Sequence, residues 1–178
     1  DDDGGTKSGS AYIFYKGTGV WANMTETAKL TASDAAAYDY FGKAVSLSGD
    51  YALVGAWADD EGASASGSAY IFYKGTGDWA NMTQTAKLTA SDAAANDIFG
   101  IAVSLAGDYA LVGAYGNDDD GNSSGSAYIF YKGTGDWANM TQTEKLTASD
   151  AAAGDYFGYS VSLYGNNALI GTGTNYNK

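Results

Sequence analysis

Apolar and polar positions alternate with a period of two in short runs along the chain, the pattern of strands with distinct faces. In the run 40–48, Phe41, Val45 and Leu47 fall on one side, and Gly42, Ala44 and Ser46 on the other. The small side lets a neighbouring sheet come close. In the run 68–74, Ala69, Ile71 and Tyr73 oppose Tyr70 and Phe72, so both faces are apolar and need cover. The run 82–90 sets Gln84, Ala86 and Leu88 against Thr83, Thr85, Lys87 and Thr89, which predicts an outer strand with one wet face and a Lys that discourages edge pairing. With 51–57 these make four strands, separated by tight turns at Ser48-Gly49-Asp50 and at Lys74-Gly75-Thr76-Gly77-Asp78. Ser91-Asp92-Ala93-Ala94-Ala95 could open a helix, but a length of one turn favours a linker or short 3₁₀ turn.

The pattern repeats. Ser-Gly-Ser-Ala-Tyr-Ile-Phe-Tyr-Lys starts at Ser8, Ser66 and Ser124, and Phe-Gly recurs at Phe41, Phe99 and Phe157, a period of 58 without insertion or deletion. Residues 39–96 and 97–154 agree at 45 of 58 positions, and eight of the 13 differences lie between Trp57 and Ala65. One loop has drifted on a fixed scaffold. The fold expected is all-β: tandem four-stranded antiparallel sheets, covered on both faces, of the propeller-blade kind. The units are a half-blade at 1–38 (strands three and four), blades at 39–96 and 97–154, and a half-blade at 155–178 (strands one and two). On this phasing the terminal blades are split between the chain ends. Strands one and two of one copy could complete the blade begun by another, as a filament or a closed dimeric ring, or the chain could be a piece of a longer tandem array.

Composition narrows the function. There are 21 Asp and Glu against nine Lys, no Arg, no His, no Cys, no Pro and a net charge of -12. Such a surface cannot neutralise nucleic-acid phosphates and is repelled by anionic headgroups. Without imidazole or thiolate there is no zinc, haem or iron–sulfur ligation of the usual kind, and no disulfide. No apolar run reaches the length of a membrane-spanning helix. The chain opens Asp1-Asp2-Asp3, as expected of a mature product or a fragment. Glu occurs only at Glu26, Glu61 and Glu144, each where the other copies differ, and nothing singles out an acid–base pair. The expectation is that the protein is not an enzyme and needs no cofactor.

Phe41-Gly42 followed by Gly55-Ala56, and Phe99-Gly100 followed by Gly113-Ala114, resemble the FG-GAP repeat. Lys87-Leu88-Thr89-Ala90-Ser91-Asp92 and Gly67-Ser68-Ala69-Tyr70-Ile71-Phe72 are similar to its non-integrin branch of bacterial and protist surface proteins. The resemblance spans essentially the whole chain. It implies a β-propeller fold, a place outside the cell or on its surface, and non-enzymatic binding or scaffolding work. Trp57 and Tyr115 stand where the family has Pro, and the last copy reads Gly171-Thr172-Gly173. Integrin-type blades can carry a calcium loop between strands one and two. Here that connection is a short turn, so that site is not inherited.

Several residues carry candidate roles. Asn23, Asn81, Asn139 and Asn122 head N-glycosylation triplets. Asp59, Glu61, Asp118 and Asp120 lie in acidic loops with a following Gly, a setting that suits Ca²⁺, although the alternate ligand positions are incomplete and a solvated loop fits the spacing better. Phe41, Gly42, Phe99, Gly100, Phe157, Gly158, Trp79 and Trp137 are expected to pack blade against blade, while Trp21, Trp57 and the other Trp rings could alternatively stack on sugars. Ser33-Asp34, Ser91-Asp92 and Ser149-Asp150, with Asp39, Asp97 and Asp155, are expected to tie the turns between blades. The reading is an extracellular structural scaffold, self-associating and glycosylated, with an adhesin or lectin-like module using loops 57–65 and 115–123 as the alternative.

Overall fold

A computed structural model describes residues 1–173, so the last five residues of the expected 155–178 half-blade lie outside the described residues. The described residues form fourteen strands and no helix. The first unit holds β1 (Ala11–Ile13) and β2 (Ala28–Thr31). The second holds β3 (Phe41–Ser48), β4 (Tyr51–Ala56), β5 (Ser68–Tyr73), β6 (Met82–Thr83) and β7 (Ala86–Thr89). The third repeats it with β8 (Ala102–Ala106), β9 (Tyr109–Ala114), β10 (Ser126–Tyr131), β11 (Met140–Thr141) and β12 (Glu144–Leu146). A last hairpin is β13 (Ser160–Tyr164) and β14 (Asn167–Gly171). Within each sheet the main strands are antiparallel, in the register Val45↔Val54 and Val54↔Tyr70.

The run 82–90 is not one outer strand. It breaks at Gln84-Thr85, and its first half pairs in parallel with the preceding unit: Leu30↔Met82 and, one unit on, Leu88↔Met140. Side chains at the break make this favourable. Asn139 Oδ1 accepts from Lys87 N at 2.8 Å, Gln142 Oε1 accepts from Ser91 N at 2.9 Å, and Gln142 Nε2 donates to Ser91 Oγ at 2.9 Å. Asn81 and Gln84 bond the first unit in the same way. The sheets therefore contain parallel pairs as well as antiparallel ones, and the edge expected to be guarded by Lys87 is already paired. Residues 91–95 form a turn, as their length suggested, and Tyr40 lies just outside the strand, in the left-handed region at φ 53°.

The sheets stack face to face. Ile13, Ala28 and Leu30 of the first unit meet Phe41, Val54, Tyr70 and Phe72 of the second. The other face of the second unit, with Leu53, Ile71 and Leu88, meets Phe99, Val112, Tyr128 and Phe130 of the third. Phe99 lies edge-on to Tyr128 at 5.4 Å and to Phe130 at 6.0 Å, and Phe41 repeats this with Tyr70 and Phe72. Phe157 has no such pair beside it among the described strands and is only partly buried. Trp137 is buried in the second interface, and Trp79 packs partly against the first.

The Phe-Gly and Gly-Ala pairs mark the closest approach of neighbouring sheets. A Cβ on Gly55 would lie 1.9 Å from the Gly100 carbonyl oxygen, and one on Gly113 would lie 1.9 Å from that of Gly158. Gly42 and Gly100 have φ near +90°, a conformation that L side chains rarely adopt, as does Gly158. Small side chains between the strands add hydrogen bonds: Leu105 N donates to Ser46 Oγ at 3.0 Å, and Leu163 N to Ser104 Oγ at 2.9 Å. The stack is open at both ends, and the described residues do not close into a ring.

Candidate functional site

The acidic loops between the second and third strands of each unit do not stand free in solvent. They fold over the lysine of the fourth strand. Lys87 Nζ lies 2.7 Å from Asp34 Oδ2, 3.2 Å from Asp59 Oδ2 and 2.6 Å from Glu61 Oε2. Its stem crosses the Tyr70 ring, with Nζ 5.2 Å from the centroid, and the Tyr70 hydroxyl donates to Asp59 at 2.5 Å. Burial alone lowers the Lys87 pKa, but hydrogen bonds to Asp34 and Glu61 more than reverse this and hold it above its ordinary value. Burial, then the Asp59 charge, pushes the Tyr70 hydroxyl up.

The arrangement recurs with altered charge. Lys145 meets Asp92 at 2.5 Å, Asp119, and the neutral Asn117 Oδ1 at 3.2 Å. Lys29 meets Asp1 at 2.8 Å and Asp3. An ammonium therefore sits among the carboxylates, in loops that the spacing favoured as solvated over a Ca²⁺ site. Asp59 and Glu61 converge on Lys87. Asp118 instead accepts from Ser123 N at 2.6 Å, while the backbone of Asp120 donates to Ser124 Oγ at 3.2 Å. No group of three or more acidic side chains among the described residues is disposed to hold a metal ion.

The carboxylates before Phe-Gly brace the turns between units. Asp39 Oδ2 accepts from Ala36 N at 2.6 Å, Asp97 from Ala94 N at 2.8 Å, and Asp155 from Ala152 N at 2.8 Å. Burial holds Asp39 and Asp97 above the usual carboxylate range, against these donated N–H groups. Ser33 and Ser91 contact Gln84 and Gln142, while Asp34 and Asp92 reach the lysines. No local pattern marks Asn81, Asn139, Gln84 and Gln142 as joints between the units. Their recurrence at a period of 58 was the only trace, and duplication gives every residue that trace. Asn23, Asn81, Asn122 and Asn139 are all exposed.

The ends of the stack are more exposed than its interior. Val103 and Leu105 on β8 are 9% and 5% exposed, covered by the second unit. Their equivalents on β3, Val45 and Leu47, are each 61% exposed. A cavity of about 510 Å³ opens beside β1, lined by residues including Tyr12, Ile13, Val45, Leu47 and Val54. Trp21, equivalent to the buried Trp137, is 65% exposed. At the far end Leu169 and Tyr164 stand out in solvent.

No helix of the described residues is long and apolar enough to cross a membrane. No curated protein matches the chain. The FG-GAP repeat family matches at residues 24–72, 82–130 and 140–178, three starts one period apart that together take in well over half of the sequence. The second and third matches begin at the Met that opens the split fourth strand and the first at its equivalent, Met24; the first two run into the third strand of the following unit, so the family's repeat straddles the inter-unit contact. With its repeat spacing, its Phe-Gly and Gly-Ala contacts and its stacked sheets, the chain belongs to the FG-GAP repeat family.

Proposed function

We propose that this protein is an extracellular structural scaffold that associates head to tail through its own repeat. The observation that supports it is the contrast between Val45 and Leu47, exposed on β3, and Val103 and Leu105, buried on β8 by the preceding unit. The surface that would cover the first pair has the sequence of one already present, the β13–β14 hairpin. In the register that β4 and β5 use, Ile170 of one copy falls opposite Tyr12 of the next, and Leu169 opposite Ile13. Ser162 Oγ then takes the N–H of Leu47, as Ser104 takes that of Leu163. The contact joins different surfaces of the two copies, so it propagates as a filament unless the rotation per copy closes a ring. The charge of -12 keeps such an array soluble between contacts.

Glycosylation fits the same reading. A glycan attaches at Asn Nδ2, which leaves the Oδ1 of Asn81 and Asn139 free to keep bonding the Lys29 and Lys87 amides. The exposed Asn23 and Asn122 extend the series along the surface. Light scattering across a concentration series tests the assembly: the parent chain gives a mass that climbs in whole-chain steps, and Leu47→Asp stays at one chain with an unchanged spectrum. A parent chain that is monomeric at every concentration overturns the proposal.

A further inference from the structure

Three columns of the repeat vary together although they lie apart in sequence. They read Tyr40, Ile98 and Tyr156; Lys43, Ile101 and Tyr159; and Trp57, Tyr115 and Gly173. Between residues 39–96 and 97–154 only five differences fall outside the drifting loop 57–65, at positions 40, 43, 48, 86 and 96. In the fold, positions 40 and 43 meet position 57. Tyr40, Lys43, Trp57, Ile101, Tyr115 and Tyr159 line a single cleft of about 460 Å³. Every one of its lining residues thus comes from a varying column, whereas the surrounding strands are copied nearly unchanged. The second and third units present different chemistry on one shared surface.

The backbone aims these side chains. The left-handed conformation of Tyr40 turns the chain sharply before Phe41, and Ile98 and Tyr156 share that conformation. Lys43 lies in the β-bulge between Phe41 and Ala44, a device that re-aims a side chain out of the ladder. Trp57 stacks on Tyr40 at 5.0 Å with the planes 22° apart. Tyr115 sits 5.5 Å from both Tyr156 and Tyr159. Burial, with the neighbouring Tyr159 and Tyr156, pushes the Tyr115 hydroxyl up. Lys43 is exposed and has no ion pair or hydrogen bond among the described residues, unlike Lys29, Lys87 and Lys145.

We propose that this cleft is a binding site for an acidic saccharide. Ring faces at the walls suit the apolar C–H face of a pyranose, phenolic hydroxyls at the edge suit its hydroxyls, and the unpaired ammonium of Lys43 suits a carboxylate on the sugar. The surface as a whole is acidic, and Lys43 is the one charged residue among those that line the cleft. Trp57 and Tyr115 open the acidic loops, but the carboxylates of those loops turn away to the lysines of the fourth strands and are not among the lining residues.

Calorimetric titration of the full chain tests this, with an oligosaccharide of alternating glucuronate and N-acetylglucosamine as probe and cellotetraose as the neutral comparison. The expected result is saturable binding of the acidic probe, at least five-fold tighter than the neutral one. Trp57→Ala and Tyr159→Ala each weaken it ten-fold or more, and Lys43→Ala erases the preference for the acidic probe. Trp57→Phe keeps a ring and retains most of the affinity, which separates lost stacking from lost folding. No saturable heat with the acidic probe, equal binding of both probes, or parental affinity in Trp57→Ala and Tyr159→Ala overturns the proposal.

Discussion

Lys87 and Lys145 occupy equivalent positions and carry the same side chain, yet their surroundings differ by one charge. Lys87 answers Asp34, Asp59 and Glu61, and Asp59 is only 5% exposed. At Lys145 the buried member of the group is Asn117, which carries no charge. Removing one partner of a buried pair leaves the other charge uncompensated, at a cost of roughly 3–5 kcal/mol. Lys87→Met should approach that loss. Lys145→Met should cost about 1–3 kcal/mol, the scale of a lost hydrogen-bond partner with its more exposed carboxylates. Urea unfolding of the two variants checks the order, and equal losses would contradict it. The same groups set an alkaline limit. The folded Lys87 pKa lies above the ordinary 10.5 and that of Tyr70 above the ordinary 10.0. Over the interval between ordinary and raised values the native state holds more protons than the unfolded chain. Stability therefore falls as pH rises through that interval, and it is fully present below about pH 10. Unfolding midpoints measured from pH 8 to 11 should stay flat and then drop, with the drop reduced in Lys87→Met.

At the scale of strands, the joints between units rest on a few side chains rather than on the main ladders. Asn139 and Gln142 bond the amides of Lys87 and Ser91, and with them β11 is held against β7. Each bond is worth on the order of 1 kcal/mol. Asn139→Ala and Gln142→Ala should each lower stability by about that amount and speed amide exchange at Lys87 and Ser91, leaving the exchange of β9 and β10 unchanged. Uniform acceleration would contradict a local joint. The period-two alternation made β3, β4 and β5 legible, and the 58-residue recurrence made the unit legible. The split of the run 82–90 was not, because its cause lies about 52 residues away, in bonds such as Asn139 to Lys87 that no local pattern records. The clustered carboxylates of the acidic loops made a solvated loop the better reading and a bound cation the lesser one. The cation that serves Asp59 and Glu61 is 26 to 28 residues distant in sequence, and the alternation had placed it on a wet face. The cleft was half legible: the drift of residues 57–65 was visible, but its meeting with positions 40 and 43 needs the bulge after Phe41 and the left-handed Tyr40.

For the whole molecule, the proposed assembly takes the interior interfaces as the template for the ends. Phe41 and Phe99 each wedge under a Tyr and a Phe of their own sheet, and Gly55 and Gly113 let the next carbonyl approach. The uncovered Val45 and Leu47 face a cavity lined in part by Ala11, Ile13 and Leu30, the equivalents of the Ala69, Ile71 and Leu88 that pack with Val103 and Leu105 one unit later. This repeated surface is what the sequence has duplicated. The absence of Cys from the chain gives a direct test. Two single variants, Tyr12→Cys and Ile170→Cys, are mixed under mild oxidation, with Tyr12→Cys and Asn167→Cys as the register-shifted control. The account predicts a disulfide-linked heterodimer of the first pair in excess of either homodimer and of the control. Absence of that heterodimer, or equal cross-linking in the control, would contradict head-to-tail completion of the sheet.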